Sequence, residues 1–276
     1  MARIREVLRC GGEGVDFPDA PEGETVEQSI KRQILSQQEF LASPVGLRVE
    51  PGQTLGLIGG ELVVEGGALK APSGRIELGS VVGGGLVGLV PGEVGFALDY
   101  AGVASFGGMQ FSQQAGVVAS GEGGGEIRLR GGEVVLVGES LIFADTLGNE
   151  DGVGLDVAVE RLELRERSRI AAATLSAGNA GEVSIDTARL LVSDGAQISA
   201  RTFGEGNAGN LTIAATESVE AIGTSADGRF SSGLFARVNS GATGDGGDLT
   251  ITTSRLLVSD GAQIDVVTFG EGNAAI

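Results

Sequence analysis

Short segments with apolar residues at alternate positions recur along this chain at a nearly constant step. EIRL (126–129), GLDV (154–157), EVSI (182–185), NLTI (210–213) and DLTI (248–251) follow one another at intervals of 28, 28, 28 and 38 residues. Alternation with a period of two predicts strands, because successive side chains of a strand point to opposite faces. Other positions keep the same step. Val134, Leu162, Leu190 and Leu256 form one file, and Leu136, Leu164, Val192 and Val258 a second. Ile142, Ile170, Ile198 and Ile264 form a third, followed by Thr146, Thr174, Thr202 and Thr268. Leu147, Leu175, Phe203 and Phe269 form a fifth. An upstream unit at a step of 25 places Met109, Phe111, Val117 and Ala119 before Val134, Leu136, Ile142 and Ala144.

Part of the repeat is literal. RLLVSDGAQI (189–198) returns unchanged at 255–264, and TFGEGNA (202–208) returns at 268–274, both 66 residues on. That distance is one 28-residue unit plus one of 38. Each unit carries about three short strands separated by turn residues such as Ser193-Asp194-Gly195 and Gly206-Asn207-Ala208-Gly209. A unit this small cannot bury its own apolar side chains, whereas stacked units pile like residues on like at ~4.8 Å spacing. The expected fold is therefore all-β: a right-handed parallel β-helix (β-solenoid) with coils of about 28 residues, its hand taken from the crossover rule. A β-sandwich would lack the fixed long period. A β-propeller would bring Trp-Asp signatures and frequent aromatics, and this chain has no Trp and 4% aromatic residues.

Three regions follow from the pattern. Residues 1–44 are non-repetitive, with an amphipathic stretch VEQSIKRQILSQQEFLA (26–42) that puts Ile30, Ile34 and Phe40–Leu41 at helical spacing, its flanks expected to be disordered. Residues 45–108 read as irregular coils punctuated by Gly59-Gly60, Gly66-Gly67 and Gly83-Gly84-Gly85, and residues 109–276 as regular coils, incomplete at the C-terminus. The ten extra residues of the long unit are expected near GTSADGRFSSG (223–233), as a loop projecting from one face.

Charge narrows the choice of partners. There are 19 Lys plus Arg against 37 Asp plus Glu, a net charge of −18, so the chain repels nucleic acid and anionic membranes. One cysteine, Cys10, excludes a disulfide within the chain. No apolar run approaches the length of a membrane span, and the start MARIREVLRCGG lacks the apolar stretch of a signal peptide.

Catalytic chemistry finds little footing. Without His there is no Ser-His-Asp or Cys-His nucleophile and no His-based zinc site. GEGGGE (121–126) and GTSADG (223–228) lack the GK[ST] of a phosphate cradle. Parallel β-helices include polysaccharide lyases and hydrolases that use Asp, Arg or Lys on an outer face, and here Asp194, Asp260 and Arg201 would be the candidates. Asp194 and Asp260 occupy identical Asp-Gly turns, however, and repetition of a residue in each copy speaks for structure. GDGGDLTI (244–251) matches the calcium nonapeptide only in part, and Asn179, Asn207 and Asn273 suggest a stacked amide ladder. No catalytic, cofactor-binding or metal residue is assigned.

LRVEPGQTLGLIGGELVVEGGALKAPSGRIELGSV (47–81), the SDGAQI and TFGEGNA repeats and GTSADGRFSSGLFA (223–236) resemble the filamentous haemagglutinin-like exoproteins of bacteria, the passengers of two-partner secretion, over roughly 45–276. The resemblance implies a structural, adhesin-like, non-catalytic β-helix held at the cell surface or released outside the cell. It implies export through an outer-membrane partner barrel, and contacts with cell-surface or matrix glycans or proteins. The family's N-terminal secretion domain carries a signal peptide and an Asn-Pro-Asn-Leu-type motif; this chain contains no Asn-Pro, so it reads as a truncated member. The alternative is a carbohydrate-active β-helix enzyme using surface carboxylates.

Overall fold

The computed structural model describes residues 25–92 and 95–274. Cys10 and the segment expected to be disordered before the helix lie outside them. Helix α1 (Val26–Ala42) comes first, and the chain then winds back and forth between two large parallel sheets. The opening turns of chain contribute β1 (Leu47–Arg48), β2 (Thr54–Gly59) and β3 (Leu62–Glu65), then β4 (Ala68–Lys70) and β5 (Arg75–Ser80). An antiparallel hairpin, β6 (Leu86–Pro91) and β7 (Phe96–Gly102), interrupts before β8 (Gly108–Ser112). The regular part alternates short and long strands: β9 (Gly116–Val118), β10 (Glu126–Leu136), β11 (Leu141–Phe143), β12 (Gly154–Leu164), β13 (Arg169–Thr174), β14 (Glu182–Ser193), β15 (Gln197–Thr202) and β16 (Leu211–Ile222). It ends with β17 (Gly233–Val238), β18 (Leu249–Thr253), β19 (Leu256–Ser259) and β20 (Gln263–Thr268).

Sheet one runs β1-β4-β9-β11-β13-β15-β17-β20. Sheet two runs β18-β16-β14-β12-β10-β5-β2, with β3, β8 and β19 continuing the far halves of its bent strands. Two of the three strands expected per unit are thus fused into one long strand with a bend. The order is that of a stack in which each turn of chain lies on the one before, and it is consistent with a parallel β-helix.

The files predicted from sequence are the rungs of this stack. Val117 pairs with Ile142, Ile142 with Ile170 and Ile170 with Ile198. Leu234, which the period of 66 skips, sits between Ile198 and Ile264. Met109 and Phe111 pair with Val134 and Leu136, as the step of 25 requires. The inward side chains form one continuous core from Leu55 to Leu234. Identical sequence does not guarantee identical burial. Leu190 and Val192 are 1% and 0% exposed, while their copies Leu256 and Val258 in β19 are 51% and 42% exposed, because β14 lies between two neighbours and β19 pairs with β16 alone. Burial here comes from the neighbouring rung, and one fully buried Leu contributes ~1.5–3 kcal/mol.

The extra residues of the long unit are divided among three places. Ser193 and Gln197 are four residues apart, but their partners Ile222 and Gly233 are eleven apart, so seven fall in the loop 223–232. One more makes a bulge in β16, opposite Thr187 and Arg189. Two lengthen the turn from Val238 to Leu249 relative to that from Thr202 to Leu211.

Helix α1 obeys the amphipathic reading of 26–42. Thr25 caps it: its Oγ1 accepts from the Gln28 amide at 3.3 Å, while the Gln28 side chain accepts from Thr25 N at 2.9 Å. Its 17 residues span about 25 Å, the width of about five rungs. It lies across the outer face of sheet one, with Ile30, Ile34, Phe40 and Leu41 packed on Val118, Leu141, Phe143, Ala173 and Leu175. Its last turn contains no basic residue. Lys70, fully buried on β4, serves that end instead: Nζ donates to Phe40 O at 2.7 Å, Ser43 O at 3.1 Å and Ser43 Oγ at 3.2 Å.

Candidate functional site

The corner between the far half of sheet two and sheet one is built from two-residue turns stacked rung on rung. Gly138-Glu139, Glu166-Arg167, Asp194-Gly195 and Asp260-Gly261 all have positive φ at both residues, as do Gln113-Gln114. This is the conformation that glycine, aspartate and asparagine reach most easily. The glutamine, glutamate and arginine residues in it are held by neighbouring rungs. Glu166 Oε2 accepts from Gly138 N at 3.0 Å, and Arg167 pairs with Glu139 at 3.1 Å.

The loop 223–232 folds back onto this corner. Ser225 N donates to Phe230 O at 2.7 Å and Ser232 Oγ accepts from Gly195 N at 2.8 Å. Asp227 accepts from Ser225 Oγ and from Arg229 N, and these two bonds hold its carboxyl below the usual carboxylate range. Arg167 lies 4.6 Å from the centre of the Phe230 ring. Loop and corner together enclose a groove of about 800 Å³ that runs along the stack past Gln113, Gln114, Glu139, Glu166, Arg167 and Asp194 to Ser225. It offers amides, carboxylates, a guanidinium and hydroxyls at about one rung, ~4.8 Å, apart. Only Asp194 of this column was visible as a candidate from sequence. Glu166-Arg167, Glu139 and Gln113-Gln114 hold the equivalent turn one, two and three units earlier, and their chemistry changes from rung to rung while their place does not.

The three candidates for acid–base chemistry do not converge. Asp194 and Asp260 each accept a hydrogen bond from the serine before them, Ser193 and Ser259, at 2.9 Å. They lie two rungs apart with Gly223 between, since Ser193 pairs with Ile222 and Ile222 with Ser259. Arg201 is on the outer face of sheet one. Its Nη2 donates to Gln197 Oε1 at 3.0 Å, its guanidinium lies 5.5 Å from the Phe235 ring, and burial together with Arg237 and Arg169 pushes it down to about 10.

Asn179, Asn207 and Asn273 do share one column, but its bonds run from backbone N–H to side-chain oxygen, and aspartates are unforeseen members. Asn179 N donates to Asp151 Oδ1 at 2.8 Å, Asn207 N to Asn179 Oδ1 at 2.9 Å, Asp245 N to Asn207 Oδ1 at 2.8 Å and Asn273 N to Asp245 Oδ1 at 2.8 Å. Asp245 of the partial calcium motif is therefore engaged within the ladder. The threonine file does related work: Thr174, Thr202 and Thr268 donate to the carbonyls of Gly178, Gly206 and Gly272 at 2.5, 2.6 and 2.8 Å.

A second polar cluster lies on the outer face of sheet two beneath the hairpin. Glu77, Arg128 and Asp156 are consecutive members of one column. Arg128 reaches Glu77 at 3.4 Å and Asp156 at 3.2 Å, and Arg75 pairs with Glu126 at 2.5 Å. Burial pushes Glu77 up, against the pull of Arg128 and Arg75. Burial also acts upward on Asp156, but hydrogen bonds and charge from Arg130 and Arg128 outweigh it and hold that carboxyl low. Two carboxyls displaced in opposite directions are a pattern seen in acid–base catalysts. Here one of them, Glu77, is 0% exposed, beneath a hairpin that packs Phe96 on Gly56 and Tyr100 on Gly79.

Among the described residues no group of three or more acidic or cysteine side chains is placed to hold a metal ion, and no helix is long and apolar enough to cross a membrane, which says nothing of β-barrels. Comparison of the chain with models of protein families, with curated proteins and with solved structures finds no match.

Proposed function

We propose that this chain is a structural, adhesin-like module: a right-handed parallel β-helix with coils of about 28 residues that holds cell-surface or matrix molecules along its corner groove and has no catalytic role. On this reading it belongs outside the cell or on its surface, delivered by an outer-membrane transporter of the two-partner type. The observation that carries the reading is where the repeated polar side chains spend their hydrogen bonds. Asp151, Asn179, Asn207 and Asp245 each hold the rung above, and Asp194 and Asp260 accept from the serines before them. What remains turned outward is a varied polar column beside the one long loop, and in scaffolds of this kind such loops supply recognition.

Binding of the purified chain to immobilised glycans and matrix proteins tests the proposal. Saturable binding that weakens at least fivefold when Gln113→Ala and Gln114→Ala are combined is the expected result. The alternative, a carbohydrate-active enzyme, predicts turnover of a polyuronate that Asp194→Ala abolishes. That outcome would replace the adhesin reading.

A further inference from the structure

Asp145 is the most deeply placed carboxyl on the outer side of sheet one, 4% exposed beneath α1. Its Oδ1 accepts from Ala173 N at 2.9 Å and its Oδ2 from Gln37 Nε2 at 2.8 Å. Gln37, 5% exposed, is the buried polar side chain of the helix face, and its Oε1 is buried without a hydrogen-bond partner. The contact is thus half made. A carboxylate accepts one bond from a primary amide and leaves the amide oxygen dry. A carboxylic acid exchanges two with it, O–H to Oε1 and Nε2–H to the carboxyl, after a small rotation of the amide.

The surroundings favour the protonated form. Burial pushes Asp145 up to about 6, although the bonds from Gln37 and Ala173 and the charge of Arg201 pull the other way. Among the described side chains, the charged groups on the packed elements are Lys31, Arg32 and Glu39 on α1, Arg169 on β13 and Arg201 on β15, and of these Arg201 acts on it. Glu122, in the turn below, is directed to Asn149 N at 3.1 Å.

The helix is also held unevenly. Lys70 fastens its C-terminal end through three bonds. Its N-terminal half stands over a cavity of about 600 Å³ bordered by Ile30, Leu175 and Phe203. Between the fastened end and the underfilled end lies the contact of Gln37 with Asp145.

We propose that α1 is a proton-gated strap: protonation of Asp145 seats the helix on sheet one, and loss of that proton loosens it and uncovers the apolar strip of Val118, Phe143, Ala173 and Leu175. The sign follows from linkage. The seated helix raises the affinity of Asp145 for a proton above that of the solvated carboxyl, so seating is strongest below the ordinary aspartate value and weakens as pH rises through about 6. Between pH 5 and 7.5 the displacement corresponds to about a tenfold change in the seating equilibrium.

Amide hydrogen exchange on the whole chain reads this directly, with α1 compared against β14 and rates corrected for intrinsic chemistry. Protection of 26–42 about tenfold lower at pH 7.5 than at pH 5, with β14 unchanged, is expected. Asp145→Asn, a permanent stand-in for the neutral acid, should keep α1 protected at both values. Protection of α1 that is insensitive to pH in the unmodified chain overturns the proposal, and so does the same sensitivity persisting in Asp145→Asn. Should that variant fail to fold, the unmodified chain still decides. The midpoint of α1 loosening must coincide with the Asp145 carboxyl titration followed by carbon NMR, and separate midpoints refute the latch.

Discussion

The two sheets share a core but meet the outside differently. On sheet one the column next to the core file reads Arg48, Lys70, Val118, Phe143, Ala171, Ser199, Phe235 and Asp265 from one end to the other. Its middle is apolar, and helix α1 lies there. On sheet two the corresponding column reads Gly56, Glu77, Arg128, Asp156, Ser184, Thr212 and Thr250. Its middle alternates in charge, and neighbouring rungs neutralise one another. A parallel stack turns every outward position into a column, so each face must solve its exposure along the whole column. An apolar column needs a cover from outside the repeat, whereas an alternating charged column is its own cover.

Breaking the covered face should cost most. Phe143 is 5% exposed and packs among side chains of the helix and of sheet one. Phe143→Ala is expected to destabilise by about 3 kcal/mol, the low end for a buried Phe→Ala change, because the helix can settle partly into the gap. Denaturant unfolding measures the loss, and hydrogen exchange should show α1 released before β14. If β14 loses protection together with α1, strap and stack form one cooperative unit and the contrast between the faces is wrong.

The hairpin sharpens the contrast, because it covers part of the charged face. A Cβ on Gly79 would lie 2.2 Å from the Tyr100 hydroxyl oxygen. Gly79→Ala therefore displaces the ring, at about 1–3 kcal/mol. Burial, with help from Glu77, pushes Tyr100 up to about 12. The docked ring favours the neutral phenol, so docking is at full strength below pH 10 and weakens as pH climbs from there through about 12. Tyr100 is the only tyrosine and there is no tryptophan, which lets ultraviolet absorbance follow this one group. The titration midpoint should fall toward the ordinary tyrosine value in Gly79→Ala. An unchanged midpoint would mean that the phenol is buried by something other than its seat on Gly79.

The stacked interior was legible in the sequence because rungs repeat what they need: the 28-residue files become paired columns residue by residue. What repetition conceals is contact from outside the repeat. The column that runs Asp145, Ala173, Arg201 changes character at each rung before it reaches Arg237, and it is where Gln37 enters from outside the repeat. Lys70 likewise stands among aliphatic neighbours with no sequence sign that a helix end lies above it. The hairpin escaped because an uncharged, glycine-rich run such as 81–92 carries no period of its own. The corner groove stayed hidden for the converse reason: its turn residues share a backbone conformation, φ near +60°, but no chemistry. In a stack, a break in a column marks a partner that the period cannot announce.

Lys70→Met tests one such break. The methionine keeps an apolar stem in the buried space but removes the donor shared by Phe40 O and Ser43, leaving helix-end carbonyls without it. A cost of about 2 kcal/mol is expected, typical of losing hydrogen bonds from a charged donor. The effect should be the same at pH 5 and pH 7.5, since the substitution leaves the Gln37–Asp145 contact in place. This separates the fastening at Lys70 from the latch at Asp145 in one pair of exchange experiments.

The smallest effect belongs to the self-covering face. Arg189 and Glu217 pair across the bend of sheet two with side chains 54% and 52% exposed, so water screens them and each gives up side-chain freedom to meet the other. Arg189→Ala should therefore cost only ~0.2–1 kcal/mol, and the difference should vanish in about 1 M salt, where the screening length falls to roughly 3 Å. A larger loss, or one that survives high salt, would mean that the arginine stem packs on the wall of the groove lined by Phe106 and Glu160. In that case the charged face is held by burial after all, and it differs from the covered face in degree, with long polar side chains doing for one what the helix does for the other.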